Sequence, residues 1–576
     1  MPAKRIGESR QSQLVTTYGV GSLFPSEDQS FIIMGTEYWP ETSPRLDEPR
    51  LARALGVHGF RTPSAGRGAG DVPVMRFPLA YYCPKCHVLG QFQRLQDQQT
   101  TWCKRCHEAR LVPSRFVACC DNGHIEDFPY FQWVHKGDDS GDDTSEHQLS
   151  LRILGKSSSL SDILVGCSCG VAPKSLNGSF SKQALAPIRS CGGRRPWLET
   201  DDEKRCDRPL RTLQRGSSNV WFGAMRSTIS IPPWSTAAAA WVDHHWTVLQ
   251  HLPETALAGV LGPMVAHAPG VTAEAVLAVI AQRRGLATHS QPTELELRRD
   301  EYTALRTGAG DGTARDTFVC EPEPVGRSIA YVVAQVSAVH RLREVRALAG
   351  FSRVTPGLPK VDGDGVESDG LAPLSERHVD WLPAIEVHGE GIFLRLHEDF
   401  VAEWEARPAA GMRADLINRA MERRDRQFDR PASTPVSART IALHTLAHML
   451  ISELSLHAGY PASALRERLY TMPEQTGILV YTASSDSAGS LGGLAALAKE
   501  ERFQDVFLAA IENGRWCSSD PVCAESRGSG TDNLNVAACH ACVLLPETSC
   551  EERNVLLDRV CVVGSQQFAD AGLFTA

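Results

Sequence analysis

The chain has 576 residues, a mass of 62.9 kDa, a formal charge of −9 and a pI near 6.1; it is too long for one hydrophobic core and too acidic to coat nucleic acid by bulk electrostatics. Hydrophobic content of 42% and charged content of 22% are ordinary for a globular protein. No run of about 18 apolar residues is present, so no membrane span is predicted.

The first residues, MPAKRIGESRQSQ, are basic and polar with no apolar h-region, so the expected compartment is the cytoplasm. There, 17 cysteines read as metal ligands rather than as disulfides. Residues 1–80 are expected to form an irregular β cap, with a strand-like FIIM and a Gly-rich break at 61–71. Residues 81–215 carry two cysteine groups separated by an acidic run, KGDDSGDDTSEH, and form a double zinc-binding module. Residues 216–430 read as mainly helical, with helical periodicity over 272–287 and 293–306 and a Gly/Asp linker at 360–370. A strand-like run, AIEVHGEGIFLRL, follows. Residues 431–576 open on an amphipathic helix, IALHTLAHMLISEL, then a strand, GILVYT, a Gly-rich turn and another helix. The fold class predicted is α+β and multidomain. It has zinc-ribbon or knuckle modules in the N-terminal half, a mainly helical middle and a C-terminal α/β zinc-binding domain.

The cysteines supply up to three structural zinc sites. Cys83, Cys86, Cys103 and Cys106 form two CxxC pairs, the spacing at which tight turns present paired thiolates to a tetrahedral ion. Each pair is followed by histidine, His87 and His107, which is also the signature of c-type haem attachment; that chemistry needs export, so zinc is the reading adopted. A second site is expected from Cys167, Cys169, Cys191 and Cys206, whose neighbouring glycines relieve tight turns. A third is expected from Cys523, Cys539, Cys542 and Cys550, with Cys517 as a spare. Cys119, Cys320 and Cys561 read as small buried hydrophobes. Cys120 and His124 lie four apart beside Glu126 and Asp127; the plainer reading, preferred over a metal or DNA contact, gives His124 a structural hydrogen bond under the aromatic cluster Phe128, Tyr130, Phe131 and Trp133.

Around the second cysteine group lie Arg189, Arg194, Arg195, Arg208, Arg211 and Arg215, with Trp197 and Trp221 interleaved. Arginine forks and indoles suit phosphates and stacked bases, and the same arginines equally suit neutralising zinc-bound thiolates. Signals for an enzyme are incomplete. Gly155-Lys156-Ser157 resembles the end of a phosphate loop, but Ser150 stands where that motif needs glycine. His444 and His448 have helical spacing, but Thr445 replaces the glutamate of a zinc protease. Ser490, in the turn at 488–492 after GILVYT, echoes a nucleophile elbow with Ala488 in place of the first glycine. A serine hydrolase using Ser490, with His444 or His448 as its base, is the alternative function.

The segments LHTLAHMLISELSLHAGY, LRERLY, GILVYTASSDSAGSLGGL and CHAC…ETSCEERNVLLDR resemble the zinc-binding domain of unknown function shared by the DrmB family of bacterial DISARM phage defence and the C-termini of Mrf-type DNA helicases. RQSQLVTTYGVGSLFP, FVACCDNGHIEDFP, CGGRRPWL, LQRGSSNVWF, RLREVRALAGF and LPAIEVHGEGIFLRL resemble DrmB rather than a helicase. The resemblance implies an accessory subunit that lacks ATPase motifs and is not itself an enzyme. It would bind a DrmA-type superfamily 2 helicase, engage DNA through that complex, and work beside a methyltransferase that marks host DNA. No catalytic residues belong to the pattern, so none are carried over.

Overall fold

The computed structural model describes residues 5–575 except 65–69, 99, 136–146, 156–158, 203–205, 287–291, 310–315, 357–370, 378, 428–430 and 483–492. The acidic run at 136–146, the linker at 360–370, Lys156, Ser157, the middle of the Gly-rich break, and Ser490 with its flanking residues lie outside the described residues.

The centre of the molecule is an antiparallel sheet in the order Phe222–Ile229, Val333–Ser352, Trp381–Leu396, Gly477–Thr482, Leu465–Tyr470. Its two long strands are rich in Val, Ile, Leu and Phe, which fit a pleated surface buried on both faces. They are bent by register shifts between Val339 and Leu342 and between Ala224 and Met225, the local kinks that let long strands coil. The glycines of HGEGIFLRL have a specific task. A Cβ at Gly389 would sit 1.9 Å from the Thr482 carbonyl oxygen, and one at Gly391 2.6 Å from that of Val480. Only glycine lets the neighbouring strand approach so closely.

Because the strand Trp381–Leu396 pairs with Gly477–Thr482, the middle and C-terminal regions share this sheet, and one hydrophobic core runs from Ile329 to Phe574. The middle region also supplies the helices Ala237–Leu249, Glu254–Val265 and Ala273–Leu286, which bury a small core of their own around Val242, Leu257, Leu261 and Val276. The helix Glu294–Thr307 begins at a capping box between Thr293 and Glu296, which satisfies two otherwise unpaired backbone donors. The strand Gly59–Arg61 pairs in parallel with Trp381–Pro383, and Val20, Ile32 and Trp39 pack with Trp197, Phe351 and Ile385. Arg353, fully buried, donates to the carbonyls of Gly21, Gly123 and Val220 at 2.6–2.7 Å. It thereby pins N-terminal, zinc-module and middle segments together.

The helix Ala438–Ala458 departs from its expected amphipathic character. It is buried on nearly every face, including Thr440, His444, Thr445 and His448, as befits a helix enclosed by the core. Its polar residues therefore face interior partners rather than water. Among the described residues no helix is long and apolar enough to cross a membrane.

Candidate metal centres

Among the described residues five groups of four side chains converge, each with its ligand atoms within 4.8 Å of one another. Zinc at about 2.3 Å from sulfur and 2.0–2.1 Å from nitrogen demands tetrahedral edges of about 3.8 Å between two sulfurs and 3.5 Å between sulfur and nitrogen. That is the yardstick for each group.

The structure brings Cys83, Cys86, Cys103 and Cys106 together, with Sγ separations of 3.6 Å between Cys83 and Cys106 and 3.7 Å between Cys86 and Cys103. Each CxxC closes a tight turn in which the amide of His87 or His107 donates to the carbonyl of the first cysteine, Cys83 or Cys103, at 2.9 Å. Both histidines have left-handed backbones, φ 60° and 55°, a conformation that histidine tolerates better than most residues. This explains the CxxCH echo: His107 turns to Asp97, 2.9 Å away, and the two pairs close on one another rather than on separate haems. In the absence of a cation, burial pushes the Cys83 thiol up to about 12; a bound divalent ion reverses this by stabilising the thiolate.

The four thiols expected to form one second site are divided between two. Cys191 and Cys206 join Cys120 and His124, with Cys120 Sγ 3.4 Å from His124 Nδ1, Cys191 Sγ 3.6 Å from the same nitrogen and 3.9 Å between the Cys120 and Cys206 sulfurs. All four are buried. The hairpin between the strands Phe116–Cys119 and Ile125–Asp127 turns at Gly123, φ 82°, where a Cβ would meet that of Ala372 at 2.4 Å. That turn places Cys120 and His124 side by side. His124 Nε2 lies 3.3 Å from Asp202, the carboxylate partner that typically orients a ligating imidazole. His124 thus sits within a ligand group, not merely under the aromatic cluster.

Cys167 and Cys169 instead meet His135 and His147, at 3.2 Å between Cys167 Sγ and His147 Nδ1 and 3.4 Å between Cys169 Sγ and His135 Nε2. His135 caps the helix Tyr130–Val134, and its Nδ1 lies 2.8 Å from the Phe131 carbonyl, leaving Nε2 for a ligand. In chain order this group is nested inside the other, since 135–169 falls between His124 and Cys191. The physical reason for the division is the sheet. Cys167 ends the strand Ile163–Cys167, whereas Cys120 adjoins a different sheet.

In the C-terminal region Cys517 joins Cys523, Cys539 and Cys542, with sulfur separations of 3.5, 3.7 and 3.8 Å. Cys550, expected in this site, lies instead 3.2 Å from His444 Nε2, in a group with His448 and Glu467. The expected ligand and the expected spare exchange roles. Cys119, Cys320 and Cys561 lie outside all five groups and are buried in apolar clusters.

Replacing Cys167 and Cys191 tests the division directly. Each variant, Cys167→Ala and Cys191→Ala, is expected to lose one zinc equivalent, and the double variant two. A single shared ion would cost the double variant only one.

The arginine and tryptophan set is dispersed. Trp197 is fully buried, its indole N–H donating to the Pro373 carbonyl at 2.9 Å and its ring against Phe351; it has no face for a base, which corrects its expected stacking role. Trp221 likewise donates inward, to Val20. Arg189 pairs with Glu126 at 2.9 Å, Arg194 with Asp201 at 3.0 Å and Arg208 with Asp121 at 4.0 Å, while Arg195 donates to the Asp201 carbonyl. Arg211 and Arg215 are half-buried, and burial lowers the Arg215 pKa. Three of these six arginines are therefore answered by acids, and Arg194 has the most exposed side chain of the three.

Residues 10–222 match a domain of unknown function, DUF8724, and residues 446–543 match the MrfA Zn-binding domain. Over 573 residues the chain is 29% identical to the DISARM protein DrmB of Bacillus paralicheniformis (strain ATCC 9945a / NCIMB 11709 / CD-2), covering 93% of this chain and 97% of that one. The chain is similar to that DISARM protein along nearly its whole length. All three N-terminal groups fall inside the DUF8724 match. The MrfA Zn-binding match contains the Cys517 group together with His448 and Glu467, with His444 and Cys550 just beyond its ends. Zinc is the ion that the domain match and the donor sets both suit.

Proposed function

We propose that this protein acts in DISARM phage defence as a non-catalytic accessory subunit, binding a DrmA-type superfamily 2 helicase and helping it engage DNA. The observation that carries this reading is similarity extending over 97% of a DISARM protein, which leaves little of that protein without a counterpart here. Two structural features support a scaffold role. Zinc-closed loops are held rigid by metal free energy of order 10 kcal/mol per site. Arg353 and the shared central sheet join the N-terminal, middle and C-terminal regions into one interior. DNA is reached through the complex, and Arg194 and Arg195, on the short strand Arg194–Arg195, are the residues proposed to contact it. The exposed pairing of Arg194 with Asp201 is weak enough to exchange for a phosphate.

Co-expression with a DrmA-type helicase tests the reading. A stable complex should co-elute and bind DNA more tightly than the helicase by itself. Arg194→Ala/Arg195→Ala in that complex should lower the slope of log affinity against log salt by about 1–2, at about 0.9 per lost phosphate contact on duplex DNA. Separate elution with unchanged DNA affinity rules the proposal out.

A further inference from the structure

The Cys517 group supplies a complete four-cysteine set for the zinc of the MrfA Zn-binding domain. A second cluster stands behind it. His444 and His448 lie one turn apart on the helix Ala438–Ala458, their rings 4.7 Å apart at 87°. Glu467 comes from the strand Leu465–Tyr470 and Cys550 from the chain after the turn Glu547–Ser549. The first three are 0% exposed and Cys550 is 4% exposed.

Hydrogen bonding within the cluster does not account for it. His448 Nδ1 lies 2.7 Å from the Val543 carbonyl, which only accepts, so Nδ1 carries a proton and Nε2 is the ring nitrogen turned inward. That Nε2 faces Glu467 Oε1 at 3.4 Å and makes no hydrogen bond among the described residues. Glu467 Oε2 is also buried without a partner among the described residues. Buried polar atoms are rarely left so. Meanwhile backbone amides favour the anionic forms of both acidic ligands: the Glu551 amide donates to Glu467 Oε1 at 3.2 Å, and the Asn554 amide to Cys550 Sγ at 3.2 Å.

We propose that His444, His448, Glu467 and Cys550 hold a zinc ion of their own, so that the C-terminal region is a two-metal structure. One thiolate and one carboxylate balance a divalent charge, and the two imidazoles complete a four-coordinate set. The separations of 3.1 Å from His444 Nε2 to Glu467 and 3.2 Å to Cys550 are close to tetrahedral edges for zinc. With four buried protein ligands the site is closed, hence structural: it ties the buried helix, the central sheet and the C-terminal segment at one point. The Val543 carbonyl that orients His448 belongs to the residue after Cys542, so the second ion is coupled mechanically to the four-cysteine site.

The test uses the full purified chain and counts zinc per protein. Glu467→Gln and Cys550→Ser should each lose one equivalent, while Cys539→Ser loses a different one, and Cys539→Ser/Cys550→Ser loses two. After cobalt substitution, the parent minus Cys550→Ser spectrum should show a weaker thiolate-to-metal band than the parent minus Cys539→Ser spectrum, because one sulfur is lost instead of four. Undiminished zinc in Cys550→Ser overturns the proposal. If the variants do not fold, a zinc-edge anomalous map of the unmodified protein decides: a peak among the four side chains is expected, and its absence overturns the site.

Discussion

Stripping zinc from the purified protein is expected to unfold the zinc module while leaving the central sheet standing. Around the Cys83 group the buried apolar side chains are few: Tyr81, Val88, Phe92, Leu95 and Leu111. So small a cluster does not offset the ordering of its loops, and metal ligation of order 10 kcal/mol supplies the difference. The central core, from Ile329 to Phe574, has no such dependence over most of its extent. Hydrogen exchange should therefore show amides of Ala80–Tyr82 and Val88–Gln91 losing protection after chelation, with those of Val333–Ser352 retaining it. Loss should begin at the His135, His147, Cys167 and Cys169 group, where Cys169 is exposed, and reach the fully buried groups last. Unchanged protection at 80–91 in demonstrably zinc-free protein would mean that these thiols are structural without metal, and the scaffold argument would fall with it.

What was legible in the chain was whatever is local. CxxC pairs declare themselves because both thiols of a knuckle lie within one turn, and the helices Ala273–Leu286 and Glu294–Thr307 follow from helical periodicity. The pairing of knuckles is a long-range property. Cys167 and Cys191 are both flanked by glycine-containing turns, and nothing in their spacing says that strand pairing, Leu149 with Cys167, sends one to His147 while the other returns to Cys120. Grouping cysteines only with cysteines hid the histidines, although Cys120 to His124 and the pair bracketing the acidic run, His135 and His147, were signals. His444 and His448 have the helical spacing of a protease motif that expects glutamate next to the first histidine; the carboxylate arrives instead from Glu467, on a strand. Likewise Trp197 stands among arginines in sequence but points into the core, because the turn Pro196–Leu198 packs it on Phe351.

Arg468→Met is expected to cost about 3–5 kcal/mol, the usual penalty for breaking one side of a buried ion pair. Glu467 and Arg468 are consecutive on one strand, so their side chains take opposite faces of the sheet. Glu467 meets His444 and His448 on the helix Ala438–Ala458, while Arg468 meets Glu301 on the helix Glu294–Thr307. Arg468 Nε and Nη2 donate to the two Glu301 oxygens at 2.7 and 2.8 Å, and both residues are 0% exposed. Without the guanidinium, Glu301 keeps the hydroxyls of Thr228 and Tyr470 and the amide of Ile229 but no longer has its bidentate cation. Burial would raise the Glu301 pKa; Arg468 first, then Arg298 and Arg50, outweigh it and hold the carboxyl below its ordinary value. Because the folded pKa is depressed, this stability is complete above the unfolded value of about 4.3 and is lost as pH falls toward the folded one. The parent should therefore weaken on acidification below that value, and Arg468→Met should lose much of that dependence. Exchange rates of Leu465–Tyr470 and Gly477–Thr482 amides report the cost at the strand concerned, where a global transition of so large a chain would blur it. Glu301→Met/Arg468→Met should recover most of the loss, since replacing both buried charges avoids leaving either unpaired. A shift below about 1 kcal/mol in the single variant would show that water reaches this face of the sheet. Zinc content is the control that separates the two faces: it should fall by one in Glu467→Gln and stay at the parent value in Arg468→Met.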